Sequence, residues 1–296
     1  MPPTEPKKSC PPPDPNTRKP AFHAPPKSCD AHCHVFGPKA LFPYHPTSTY
    51  EPPDAGKDRL KKLHATLGLE RAVIVQASCH GPDNRAMLDA IATSGGTYKG
   101  VCIARSTFTD EDFQRLHAGG VCGVRFNFVT HLGGTPNLDA MTSILQRVKP
   151  FGWHLIIHVN AEDLVTYEDF FAKIDMEIIV DHMGRVPCDH GTAQPAFQVL
   201  KRFMERPNWW CKICGAERIS RAGPPFHDAV PFARELIALA PDRILWGTDF
   251  PHPNISRWMP NDGDLLDLLP RFTDGDAVLQ HRILVDNPAR LYRFAN

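Results

Sequence analysis

From Ser28 onward the chain alternates short apolar, β-branched runs with longer segments of mixed polarity. The runs are Ser28 to Val35, Arg71 to Ala77, Gly100 to Ala104, Gly120 to Phe128, Trp153 to Val159, Glu177 to Asp181, Trp209 to Cys214 and Arg243 to Phe250. Each has the length and residue types of a buried strand. Between them, Lys57 to Leu67, Asn84 to Ala92, Asp110 to Ala118, Leu138 to Val148, Ala161 to Ile174, Gln194 to Glu205 and Phe226 to Leu239 read as helices. Thr109 followed by Asp110, Glu111 and Asp112 supplies a cap and an acidic first turn. Asn287-Pro288 opens a terminal helix through Leu291. Eight strands alternating with helices over about 250 residues predict an α/β fold, a (β/α)8 TIM-type barrel. An open doubly wound sheet is the competing arrangement, but no G-x-G-x-x-G follows any run.

Residues 1–27 break the pattern. Ten of the first 26 residues are proline and apolar periodicity is absent, so this stretch reads as an extended arm outside a barrel spanning residues 28–296.

Charge narrows the function classes. The 296 residues carry 33 Lys+Arg and 33 Asp+Glu, a formal net charge of +0, which argues against a nucleic-acid partner. The longest apolar stretches are far short of the roughly 20 residues that cross a bilayer, and the N-terminus has no apolar signal core, so a cytoplasmic protein with no membrane partner is expected. Nine cysteines lie mostly in apolar runs and read as small reduced hydrophobes. Cys211 and Cys214 form a C-x-x-C, but i and i+3 on a strand face opposite ways and no second pair completes a zinc ribbon. Self-association is left open. The fifteen histidines need an explanation from their positions.

In a (β/α)8 barrel the chemistry sits at the C-terminal strand ends. The first run ends Asp30-Ala31-His32-Cys33-His34, whose two imidazoles at i and i+2 face one side and can share one ion. The fifth ends in His158, the sixth in Asp181-His182, the eighth in Thr248-Asp249. Four imidazoles and a carboxylate thus meet at one mouth, suited to zinc or a similar divalent ion with an open position for water. Asp249 is then the general base. His64, His117, His154 and His281 read as helix or surface residues, and His80 and His252 as residues near the pocket.

Asp30-Ala31-His32-Cys33-His34-Val35-Phe36-Gly37-Pro38, Asp181-His182-Met183-Gly184-Arg185 and Trp246-Gly247-Thr248-Asp249-Phe250-Pro251-His252-Pro253-Asn254 together resemble the amidohydrolase superfamily, and within it the 2-pyrone-4,6-dicarboxylate lactonases. The resemblance runs from about Cys29 to Tyr292. It implies a barrel hydrolase that opens a small dianionic lactone, with Asp249 activating water and His32, His34 and His182 polarising the carbonyl. It also implies that Tyr50, Ser78, Arg125, Arg185 and Arg218 hold the substrate's acid groups. Two positions depart from the family pattern: His131 stands where a second arginine is usual, and His158 where a tyrosine is usual. His158 restores a metal ligand that other superfamily members use, whereas pyrone lactonases work without metal. The expected metal set is therefore His32, His34, His158 and Asp249, the expected substrate contacts include His131, and 4-sulfomuconolactone hydrolase is a relative that fits both departures. A metal-dependent decarboxylase of an aromatic acid on the same barrel is the alternative.

Overall fold

The computed structural model describes residues 7–255 and 257–294. Ten strands occur in chain order: β1 Lys8–Ser9, β2 Cys29–Cys33, β3 Tyr50–Glu51, β4 Arg71–Val75, β5 Tyr98–Cys102, β6 Val121–Asn127, β7 His154–His158, β8 Ile178–Val180, β9 Trp209–Lys212 and β10 Ile244–Leu245. Eight of them form one parallel sheet in the order β10-β9-β8-β7-β6-β5-β4-β2. The two edge elements then meet through backbone: Ala31 N–H donates to Trp246 O (2.9 Å), Asp249 N–H to His32 O (2.7 Å) and His34 N–H to Phe250 O (2.7 Å). The result is the expected TIM-type barrel.

Asp30 staples this seam. Its Oδ1 accepts from the backbone N–H groups of His32 and Thr248 (both 3.0 Å), and its Oδ2 from the Thr248 hydroxyl (2.6 Å). Gly247 is required for so close an approach, because a Cβ there would stand 2.5 Å from His32 N.

Alternation along the strands sorts the apolar residues into two layers. Cys29, Ala31, Val73, Val75, Val101, Ile156, Ile179, Trp210 and Leu245 fill the lumen together with Tyr292 and Phe294 from the C-terminus, which close its lower end. Residues of the opposite parity, among them Ile74, Leu155, Val180 and Cys211, pack against the surrounding helices. The lumen is thus mostly apolar at the bottom, where His154 packs against Tyr292, and the other inward polar side chains gather toward the top.

Several boundaries differ from the sequence expectation. Regular pairing in the eighth strand stops at Leu245 rather than Phe250, because Gly247 must approach β2 and Asp249 turns left-handed (φ 63°). The third barrel strand lies at Tyr98–Cys102, two residues earlier than its apolar run. The helix expected from Ala161 to Ile174 is two short pieces, Ala161–Thr166 and Glu168–Phe171, interrupted at Tyr167. Part of the arm has regular structure, since β1 pairs in parallel with β3. Among the described residues no helix is long and apolar enough to cross a membrane.

Candidate active site

The local backbone aims the polar side chains at one point. A register shift between Asp30 and Cys33 places Ala31 in the lumen and still turns His32, the next residue, toward the mouth. Beyond β8, His182, Met183 and Arg185 all adopt left-handed φ of 51–52°, as do Asp249, His252 and Asn254 beyond β10 at 59–63°. For residues with a Cβ such geometry is costly and holds only where surrounding contacts enforce it. Gly215 (φ 82°) makes room, since a Cβ there would lie 2.8 Å from the His182 Cβ.

Asp249 is the centre. Its Oδ1 lies 3.4 Å from His34 Nε2, 3.5 Å from His32 Nε2 and 3.9 Å from His182 Nε2. Its Oδ2 is held by Arg218, whose Nε donates at 2.5 Å. The His34 Nδ1–H donates to Val75 O (2.8 Å) and the His158 Nδ1–H to Asn127 Oδ1 (2.9 Å), which leaves both Nε2 lone pairs facing the cavity. Asp249 Oδ1, His32 Nε2 and His158 Nε2 are among the buried polar atoms that have no hydrogen-bond partner. Buried groups of this kind are normally satisfied, so the orphans mark a place for a ligand.

Donor atoms of His32, His34 and Asp249 converge within 4.8 Å of one another, as do those of His32, Asp181 and His182. Zinc–ligand bonds of ~2.0–2.1 Å put tetrahedral ligands roughly 3.3 Å apart, close to the 3.4 and 3.5 Å separations here. The donor set therefore fits a borderline divalent ion. His158 is not in any of the converging groups among the described residues. Its ring centroid lies 5.5 Å from that of His182 and 6.4 Å from that of His131, on the substrate side.

Beneath the imidazoles lies a buried charge network that the strand pattern did not reveal. Asp181 receives Arg125 Nε (2.9 Å) and lies 3.1 Å from both Lys212 Nζ and His32 Nδ1. Lys212 is fully buried and also stands 2.9 Å from His32 Nδ1. Burial would raise the Asp181 carboxyl, but Lys212, His32 and Arg125 hold it well below the usual range. Burial and then Lys212 pull His32 down to about 4. His182 and His158 are also lowered, chiefly by burial. These imidazoles are neutral at pH 7, as metal ligands or hydrogen-bond partners of a substrate must be. A lone lysine in Trp209-Trp210-Cys211-Lys212-Ile213-Cys214, on the inward parity of Trp210, was the available signal for Lys212.

Tyr50, Ser78, Arg125, His131, His34, His158, His182, Arg218 and Asp249 line one pocket, joined by Leu132, Pro253 and Asn254, which the sequence did not single out. His32 lies just below it, fully buried. The Tyr50 hydroxyl is fixed by the Cys79 N–H (3.2 Å). Arg185 is largely buried and its Nη1 has no partner. Burial and then Arg218 lower its guanidinium to about 10, which leaves it charged at neutral pH. The same cations pull His131 down: burial first, then Arg185, Arg218, Lys8 and Arg125, to about 4. The pocket is a neutral-imidazole site inside a positive field, suited to an anion.

Other histidines take structural parts. His64 is buried on its helix between Tyr98 and Asp30, and His154 is buried at the lower end of β7 against Tyr292, so neither is a surface residue. His80 Nε2 accepts from Gly37 N–H (3.0 Å), and His252 is fully buried on Asp262 (3.0 Å). Neither lines the pocket. Cys211 and Cys214 are free thiols, the first packed outward and the second 3.5 Å from His182 Nδ1.

The 2-pyrone-4,6-dicarboxylate hydrolase of Comamonas testosteroni is 45% identical over 286 residues, covering 94% of this chain and 93% of that protein. The 4-sulfomuconolactone hydrolase of Hydrogenophaga intermedia is 38% identical over 275 residues, covering 92% and 90%. A crystal structure of an Agrobacterium tumefaciens protein in its apo form superposes with a TM-score of 0.82 at 28% identity, over 93% of this chain and 99% of that one. The amidohydrolase family model matches residues 29–294, nearly the whole barrel. The chain belongs to the amidohydrolase family.

Proposed function

We propose that this protein hydrolyses a small unsaturated ring lactone bearing two acid groups, of the class that 2-pyrone-4,6-dicarboxylate and 4-sulfomuconolactone represent, in the breakdown of aromatic compounds. One observation carries this reading: a buried, ionised Asp249 with a free Oδ1 faces the imidazoles beside Arg125, Arg185 and Arg218. Guanidinium groups grip carboxylate or sulfonate in two-pronged fashion. With the acid groups held there, the lactone carbonyl lies over Asp249, and a water on Oδ1 attacks it. Asp249 takes the water's proton as the carbon–oxygen bond forms, and His182 steadies the developing oxyanion. The ring C–O bond then breaks, and the leaving oxygen recovers a proton.

Asp249 is a weak base, because Arg218 and the imidazoles outweigh burial and hold its carboxyl well below the usual range. A strongly polarised carbonyl or an acidified water must compensate. We propose one divalent ion, zinc, held by His32, His34 and Asp249, with His158 as a further imidazole on the substrate side of His182. When bound it supplies that Lewis acidity. Nine thiols free of disulfides are in keeping with a reducing, cytoplasmic setting.

Incubation of the purified enzyme with each lactone, followed by loss of ring absorbance, tests the proposal. Turnover of at least one is expected, and turnover of neither overturns it. Carbon dioxide release without ring opening would instead select the decarboxylase. Elemental analysis should find about one divalent ion per chain; a fully active metal-free enzyme would return His158 to substrate contact alone.

A further inference from the structure

The proline-rich arm reaches the mouth of the barrel. In the β1–β3 pair, Lys8 stands opposite Tyr50, a pocket wall. Lys8 N–H donates to Thr49 O and Cys10 N–H to Glu51 O, both at 3.3 Å. Cys10 is 7% exposed, packs into the main core cluster, and accepts from the backbone N–H of Asn254 (3.0 Å), another pocket wall. Thr49 in turn donates through its hydroxyl to His131 O (2.8 Å), a third. Farther along, Arg18 Nε donates to Asp264 Oδ1 (2.7 Å), and Pro13 O accepts from Arg59 (3.2 Å), so the arm is anchored at both ends of its course.

The cations of the site are not equivalent. Arg125 and Lys212 are paired with Asp181, and Arg218 with Asp249. Arg185 and Lys8 have no acidic partner among the described residues. Arg185 is largely buried beside Arg218 and Asp249, and Lys8 is exposed on the strand paired with the Tyr50 wall; both charges help to lower His131. A cation left without an internal carboxylate is available to an incoming anion.

We propose that Lys8 is a substrate-recognition residue: it receives the outer acid group of a dianionic lactone while Arg185 receives the inner one. Cys10 and the β1–β3 pairing position it. The proposal rests on the lactone-hydrolase reading and adds the arm to the substrate site.

In the full chain, Lys8→Met should raise KM for the dianionic lactone about tenfold with kcat within about twofold, and Lys8→Arg should restore KM to within about threefold. Binding probes read the same contact without turnover. By calorimetry the wild type should bind isophthalate, a planar dianion, more tightly than benzoate, and Lys8→Met should weaken isophthalate about tenfold while leaving benzoate unchanged. Unchanged KM with unchanged isophthalate affinity overturns the proposal. So does an equal loss for benzoate, which would make Lys8 a structural residue, or a wild type that does not prefer isophthalate. If the wild type opens neither lactone the functional reading fails, and the isophthalate comparison still decides the role of Lys8.

Discussion

Two opposing demands meet at Asp249. Burial favours the neutral acid, whereas Arg218 on Oδ2 and the imidazoles of His182, His34 and His32 favour the carboxylate, and together they win. The carboxylate therefore keeps one committed oxygen and one free. Asp249→Asn preserves shape and removes the proton acceptor, so kcat should fall by about 10²–10⁴ while circular dichroism stays unchanged. An active variant would remove Asp249 from the role of base. His252 shows the same balance with the opposite outcome. Burial opposes its charge, but Asp262 at 3.0 Å and Glu217 at 3.8 Å lift it to about 10. An imidazole raised above its unfolded value of about 6.5 binds the extra proton only in the folded state, so its stabilisation is complete below that pH. It is lost as pH rises toward 10, with a limiting slope of about 1.4 kcal/mol per pH unit for one proton. Thermal melts should show stability falling from pH 7 to 10 more steeply in wild type than in His252→Gln. Parallel curves would rule out a charged His252.

At the level of elements, the site is built where regular structure stops. The β2 register shift, the left-handed turn after β8 and the break after Leu245 each aim a side chain that a straight strand would send elsewhere. The run lengths could show that strands exist and roughly where, because apolar periodicity reports burial. They could not show these breaks, which depend on what faces each strand. Gly247 is an example: nothing nearby in the chain explains it, and the reason is the backbone of β2, 2.5 Å from where its Cβ would stand. Gly247→Ala should therefore destabilise by about 1–3 kcal/mol and weaken activity by displacing His32. A denaturation midpoint equal to wild type would show that the seam can yield.

For the whole molecule, the barrel and the arm form one unit. The lumen is closed below by Tyr292 and Phe294, and the mouth is framed partly by residues 8–10. A chain beginning at Ser28 loses the burial of Cys10, the β1–β3 pair and the Arg18 ion pairs with Asp264 and Asp267. The exposed ion pairs contribute little, and the buried contacts more. A fall in Tm of about 3–8 °C is expected, corresponding to about 2 kcal/mol in a domain of this size, together with a raised KM. An unaltered Tm and KM would make the arm dispensable.

By itself the sequence determined the eight-strand alternation, the histidines and Asp249 at the strand ends, and the arginines near them. These follow from local periodicity and from residue types whose chemistry is narrow. Tertiary structure alone decided that His158 falls outside the converging donor groups among the described residues, that Lys212 and Asp181 lie beneath the imidazoles, and that the arm pairs beside the Tyr50 wall. Each depends on distances between residues far apart in the chain, such as His32 and Lys212 or Cys10 and Asn254. No local pattern encodes such a distance; it is set when the barrel closes and its layers pack.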